Sequence, residues 1–94
     1  MFNSTATVVT DAPARYAKQL AAHLGRKLTV EDTETGRRLV FEGGAGFLEP
    51  GTDRLVMRAV AENADTLAVI EDVLGRHLER FGQRSELTVT WERA

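Results

Sequence analysis

The chain carries two histidines, His23 and His77, and each falls near the C-terminal end of a helical pattern, beside its apolar stripe. Two chemistries suit such a pair. The imidazoles could hold a metal with a third ligand from a surface carboxylate, or they could work together as acid and base. The plain alternative is two helix-end residues covering the sheet edge, where the helix dipole favours imidazolium by about 0.3–1 kcal/mol. No His-x-x-x-His, Glu-x-x-His or Asp-x-Asp loop accompanies them. The chain has no cysteine, so thiolate zinc sites, iron–sulfur clusters, disulfides and thiol catalysis are excluded.

Arg76 and Arg80 stand one helical turn apart around His77, with Arg84 beyond. Guanidinium forks there suit a carboxylate or phosphate; the alternative is a solvated face in which Glu79 pairs with neighbours or with Arg93. Trp91 is read as core or edge cover, with a stacking platform as the alternative. "EGGAG" (Glu42 to Gly46) has neither dinucleotide-fold nor P-loop spacing and lies between strands, so it reads as a bulge or bend. No nucleophile motif is present. The candidate ligand group is therefore His23, His77, Arg76, Arg80 and Trp91, with no catalytic residue, metal or cofactor assigned.

The elements that must position these residues follow from periodicity. "FNSTATVVT" alternates as a strand with Phe2, Ala6 and Val8 on one face. After Thr10-Asp11, either of which can cap, "PARYAKQLAAHLGRK" forms a helix with Tyr16, Leu20 and Leu24 on its apolar stripe. "KLTVED" and "RRLVFEG" make a hairpin with Leu28, Val30, Leu39 and Phe41 inward. A second hairpin bends at Pro50-Gly51, with Phe47 before it and Leu55, Met57 and Ala59 after it facing the core. Asn63 or Asp65 caps a second helix, whose stripe is Leu67, Ile70, Val73, Leu74, His77, Leu78 and Phe81 and which Gly82 ends. "ELTVTWER" is the last strand, with Leu87, Val89 and Trp91 inward.

The order β-α-β-β-β-β-α-β describes one α+β domain over residues 1–94. It is a two-layer sandwich, a mainly antiparallel sheet with two helices on one face. The other face then lacks cover. Its aliphatic members, Val40, Leu48, Val56 and Val60, make a homodimer or partner surface the alternative to a solvated face.

Twelve basic and 14 acidic residues give a net charge of −2, with no electrostatic footprint for nucleic acid or an anionic membrane. Neither a signal peptide nor a membrane-spanning run is visible, and a cytoplasmic location is expected.

"ARYAKQLAAHLGRK" together with "VLGRHLERFGQRSELTVTW" resembles a family of small bacterial proteins, domain of unknown function 2218. The likeness runs through Arg15, Tyr16, Leu20, His23 and Lys27, then His77 to Phe81, then Leu87, Val89 and Trp91. Many members place a second histidine before the lysine; Arg26 stands there in this chain, which weakens a metal reading. The resemblance implies no established activity. It implies a fold akin to TATA-binding-protein-like and phosphohexomutase C-terminal domains, and the company of siderophore-interacting flavin reductases. The leading expectation is a non-enzymatic binding or accessory domain in bacterial iron or siderophore handling. The alternative is a metal- or anion-binding enzyme component using the two histidines. Nucleic-acid binding by fold analogy comes third, against the charge balance.

Overall fold

Threonine and valine alternating with small residues extend the N-terminus as β1 (Phe2–Val9), which buries Ser4, Ala6 and Val8 and exposes the residues between. The computed structural model describes residues 1–94. After β1 it continues through α1 (Pro13–Leu24), β2 (Thr29–Thr33), β3 (Gly36–Phe41), β4 (Gly44–Pro50), β5 (Arg54–Ala61), α2 (Ala64–Phe81), a 3-10 turn (Gln83–Ser85) and β6 (Glu92–Arg93). The strands form one six-stranded sheet in the order β2-β3-β4-β5-β1-β6, with every neighbouring pair antiparallel. This is the expected α+β architecture, in the expected order.

Both helices use one face of this sheet. Leu20, Leu24 and Tyr16 of α1 and Leu67, Ile70, Leu74 and Leu78 of α2 join Leu39, Leu48, Leu55 and Met57 of the sheet in one buried cluster. Each such leucine contributes about 1.5–3 kcal/mol relative to exposure. The Asn63 side chain accepts the Thr66 N–H at 2.8 Å and fixes the start of α2. α1 begins at Pro13 as expected, but neither Thr10 nor Asp11 caps it. The Thr10 hydroxyl instead accepts the N–H of Ala12 at 3.2 Å.

The register of β4 overturns one assignment. Leu48 was expected on the open face and Phe47 in the core; Leu48 is fully buried and Phe47 lies on the open face. The cause is the turn before it. Glu42 and Gly43 are the only residues between paired Phe41 and Gly44, so inward parity passes from Phe41 to Gly44, Gly46 and Leu48. Gly43 supplies the positive φ of +78° that this turn requires. "GGAG" is thus a turn and a strand, not a bulge. Gly44 and Gly46 lie beneath α2, where an added Cβ would stand 2.7 Å from Ile70 Cδ1 and 2.9 Å from Leu74 Cδ1 respectively.

The final strand is also shorter than its alternation predicts. Only Glu92 and Arg93 pair, with Thr5 and Ser4. Glu86 adopts a left-handed conformation after the 3-10 turn, and the chain then packs Leu87, Val89 and Trp91 against the core cluster. A Glu79 carboxylate oxygen accepts the Val89 N–H at 2.8 Å where a strand partner would have done so.

Candidate functional site

α1 and α2 run antiparallel, and the crest of α2 separates what lies on its α1 side from what lies on its other side. Arg76 and Arg80, four residues apart and therefore about 40° apart around the helix axis, straddle that crest. The five residues of the candidate ligand group consequently fall into three places.

The first is a cleft of about 410 Å³ beside the C-terminal end of α1, lined by His23, Leu24, Arg26, Lys27, Leu28, Phe41, Val73 and His77. The His23 and His77 rings stand 5.1 Å apart at 43°, and His23 meets Phe81 edge-on at 5.5 Å. His77 Nδ1 lies 2.6 Å from the Val73 carbonyl oxygen. A carbonyl only accepts, so Nδ1 carries the proton, and in the neutral ring Nε2 keeps its lone pair facing away from the helix backbone. No carboxylate lines this cleft, and the chain has no group of three or more His, Cys, Asp or Glu placed to hold a metal ion. The third ligand expected from a surface carboxylate is therefore not supplied.

The second is a cleft of about 530 Å³ at the opposite end of the same seam, lined by Arg15, Tyr16, Gln19, Arg80, Phe81, Gln83, Arg84 and Ser85. Arg80 belongs here, apart from Arg76. The third is a groove of about 330 Å³ on the far side of α2, where Trp91 and Val89 stand with Glu71, Asp72, Gly75, Arg76 and Glu79. Arg76 Nε donates to Asp72 at 2.7 Å in that groove, and Trp91 serves as packing against Gly75. Glu79 does not pair with Arg93, as the sequence suggested. Arg93 instead donates twice to Glu71, at 2.8 and 3.2 Å. Those hydrogen bonds hold the Glu71 carboxyl below the usual glutamate range against the opposing effect of its burial.

Charge is distributed unevenly over this frame. Arg37, Arg38, Arg54, Arg58, Arg76 and Arg93 form ion pairs. The other six cations, Arg15, Lys18, Arg26, Lys27, Arg80 and Arg84, form none, and all six come from α1, the loop after it, or the C-terminal end of α2 and the turn that follows. Residues 12–30 contain no carboxylate at all. A net charge of −2 conceals this strip, because a sum of charges carries nothing about the faces on which they lie.

The open sheet face has the opposite character. Arg58 donates to both oxygens of Glu49, at 2.9 and 3.0 Å, while its guanidinium lies 4.4 Å from the centre of the Phe47 ring. The Thr35 hydroxyl donates to Glu49 at 2.7 Å, and Arg38 donates to Glu31 at 2.7 Å. The Arg58 hydrogen bonds hold the Glu49 carboxyl below its usual range, with burial opposing. Val40, Val56 and Val60 share this face and are half-buried among these groups.

No helix of the structure is long and apolar enough to cross a membrane. Among solved structures, an NMR structure of PA4090 from Pseudomonas aeruginosa is similar over 98% of this chain and 96% of that one, at 32% identity and a TM-score of 0.82. No curated protein matches. Of the residues that carry the family resemblance, Arg15, Tyr16, Arg80 and Phe81 line the second cleft, and His23, Lys27 and His77 line the first. The family model described as an uncharacterised protein conserved in bacteria, DUF2218, matches residues 5–92, and the chain belongs to that family.

Proposed function

We propose that this domain binds a small organic anion without transforming it, and that the His23–His77 cleft holds the ligand. The observation that carries the reading is the composition of that cleft. Leu24, Leu28, Phe41 and Val73 offer apolar walls for a flat ring, and Arg26, Lys27 and the His23 imidazole offer donors at its rim with no carboxylate to compete. No general base is paired with a nucleophile here, so binding accounts for the arrangement better than catalysis. The ligand class that fits is an aromatic anion, such as the catecholate arm of a ferric siderophore. This accords with the iron-handling role implied by the family's company, and a siderophore-interacting flavin reductase is the corresponding partner class. The open sheet face supports homodimer formation less well, because its charges pair within the chain and its aliphatic residues are half-covered.

A metal reading has one observation in its favour, the lone pair left on His77 Nε2 by the Val73 hydrogen bond. An amide NMR titration with dihydroxybenzoate and, separately, with zinc distinguishes the two. Saturable shifts at His23, Arg26, Lys27 and Val73 with the aromatic anion are expected. Shifts with zinc alone, at the two histidines, would replace this proposal by the metal reading.

A further inference from the structure

We propose that Arg15, Arg80 and Arg84 form a second anion site, specific for a phosphate group and separate from the His23–His77 cleft. The three guanidinium groups come from three segments: the first turn of α1, the last turn of α2 and the 3-10 turn. They line one cleft of about 530 Å³ that contains no carboxylate, and none of the three forms an ion pair within the chain.

Helix electrostatics explain part of this cluster and leave the rest unexplained. A cation in the last turn of α2 is favoured by its dipole, which accounts for Arg80. Arg15 is in the opposite position. It sits in the first turn of α1, where a positive charge is disfavoured, and that turn has neither an acidic residue nor a side-chain cap to offset it. Its guanidinium is held 5.2 Å from the Tyr16 ring centre, and both residues line the cleft with the other two arginines. Three like charges converging without a counter-charge repel one another until an anion enters.

The geometry also selects the anion. A carboxylate presents two oxygens in one plane, which serves one or two guanidinium forks better than three from separate segments. A tetrahedral phosphate presents acceptor oxygens in several directions and suits them better. Gln19, Gln83 and Ser85 add neutral donors on the same lining.

The test uses inorganic pyrophosphate as probe and acetate at matched ionic strength as control, followed by amide and guanidinium NMR of the labelled protein. Saturable shifts at Arg15, Gln19, Arg80, Gln83 and Arg84 with pyrophosphate, absent with acetate, are expected. Arg15→Gln and Arg84→Gln should each weaken the affinity about tenfold or more, as loss of a charged hydrogen bond implies. Lys18→Gln should leave it unchanged, and so should the double variant His23→Ala/His77→Ala. These are exposed residues or residues outside the cleft, and the dispersion of each variant's amide spectrum reports that it has folded. Failure of pyrophosphate to saturate overturns the proposal, as do equal shifts with acetate or an equal loss in Lys18→Gln. Because the histidine variant is scored separately, loss of this site and loss of the His23–His77 cleft are distinguishable.

Discussion

The imidazole of His23 stands 5.1 Å from that of His77, and the latter is anchored at 2.6 Å by its Nδ1 to the Val73 carbonyl. One ring is thus fixed by its own helix and the other is exposed at the cleft mouth. The arrangement brings together residues 54 positions apart in sequence, 77 against 23, only because α1 and α2 pack antiparallel on one sheet face.

That asymmetry separates the two histidines experimentally. His23→Ala should change stability by less than about 0.5 kcal/mol, as exposed substitutions generally do. His77→Ala removes a half-buried ring and its backbone hydrogen bond and should cost about 1 kcal/mol. Urea unfolding of both variants checks the order. Equal costs would show that the Val73 bond does not anchor the ring.

The C-terminus should respond to acid through Glu71. Its folded pKa is lowered by the Arg93 hydrogen bonds from the ordinary glutamate value of 4.5, so its stabilising effect is complete above that value. The effect is lost as pH falls through the lowered folded value. The pair is partly exposed, with Arg93 at 47% and Glu71 at 12%, so solvent screening keeps its contribution small. The heteronuclear NOE of residues 92–94 should fall at acid pH before the domain unfolds. In Glu71→Gln it should already be low at neutral pH. A tail that stays ordered until global unfolding would contradict this.

Gly44 and Gly46 should differ in their tolerance of alanine. At Gly46 the new methyl meets the flexible end of Leu74 at 2.9 Å, and a shift of that side chain relieves it. At Gly44 it meets the Val60 carbonyl as well as Ile70 Cδ1, and backbone cannot move aside. Overpacking costs typically run about 1–3 kcal/mol. Gly46→Ala is expected near the lower end and Gly44→Ala at or above the upper end. Denaturant midpoints test the order, and the reverse order would refute the α2 footprint on β4.

Ser4 supplies a contrasting case. Its hydroxyl is buried and has no partner of good hydrogen-bond geometry, although it adds a minor lowering to the Glu71 carboxyl. Ser4→Ala should therefore be neutral or stabilising by up to about 1 kcal/mol. A clear loss of stability would show that the Ser4–Glu71 contact matters more than its geometry suggests.

Much of the frame was legible in sequence because it depends on local periodicity. The stripes Tyr16-Leu20-Leu24 and Leu67-Ile70-Leu74-Leu78, the inward Leu39 and Leu55, and the antiparallel meander all follow from spacings of 3.6 or 2. Leu48 was misplaced because parity through "EGGAG" depends on how many residues the turn consumes, which pairing decides. The residues 87–91 failed as a strand because a long-range acceptor, Glu79, took the Val89 N–H. The candidate ligand group was dispersed for a related reason. Arg76 adjoins His77 in sequence, yet successive helical residues point about 100° apart, so Arg76 and Trp91 lie on the other side of α2 from the cleft. Arg15 and Arg84 escaped notice as partners since they are 69 positions apart, 84 against 15, and join only through helix packing.

The most direct test of the His23–His77 cleft is calorimetric titration of a ferric catecholate siderophore into the wild-type protein and into the double variant His23→Ala/Lys27→Ala. Saturable binding by the wild type, weakened about tenfold or more in the variant, is the expected result. Equal affinity for both proteins, or no binding by either, would contradict the assignment of this cleft as the ligand site.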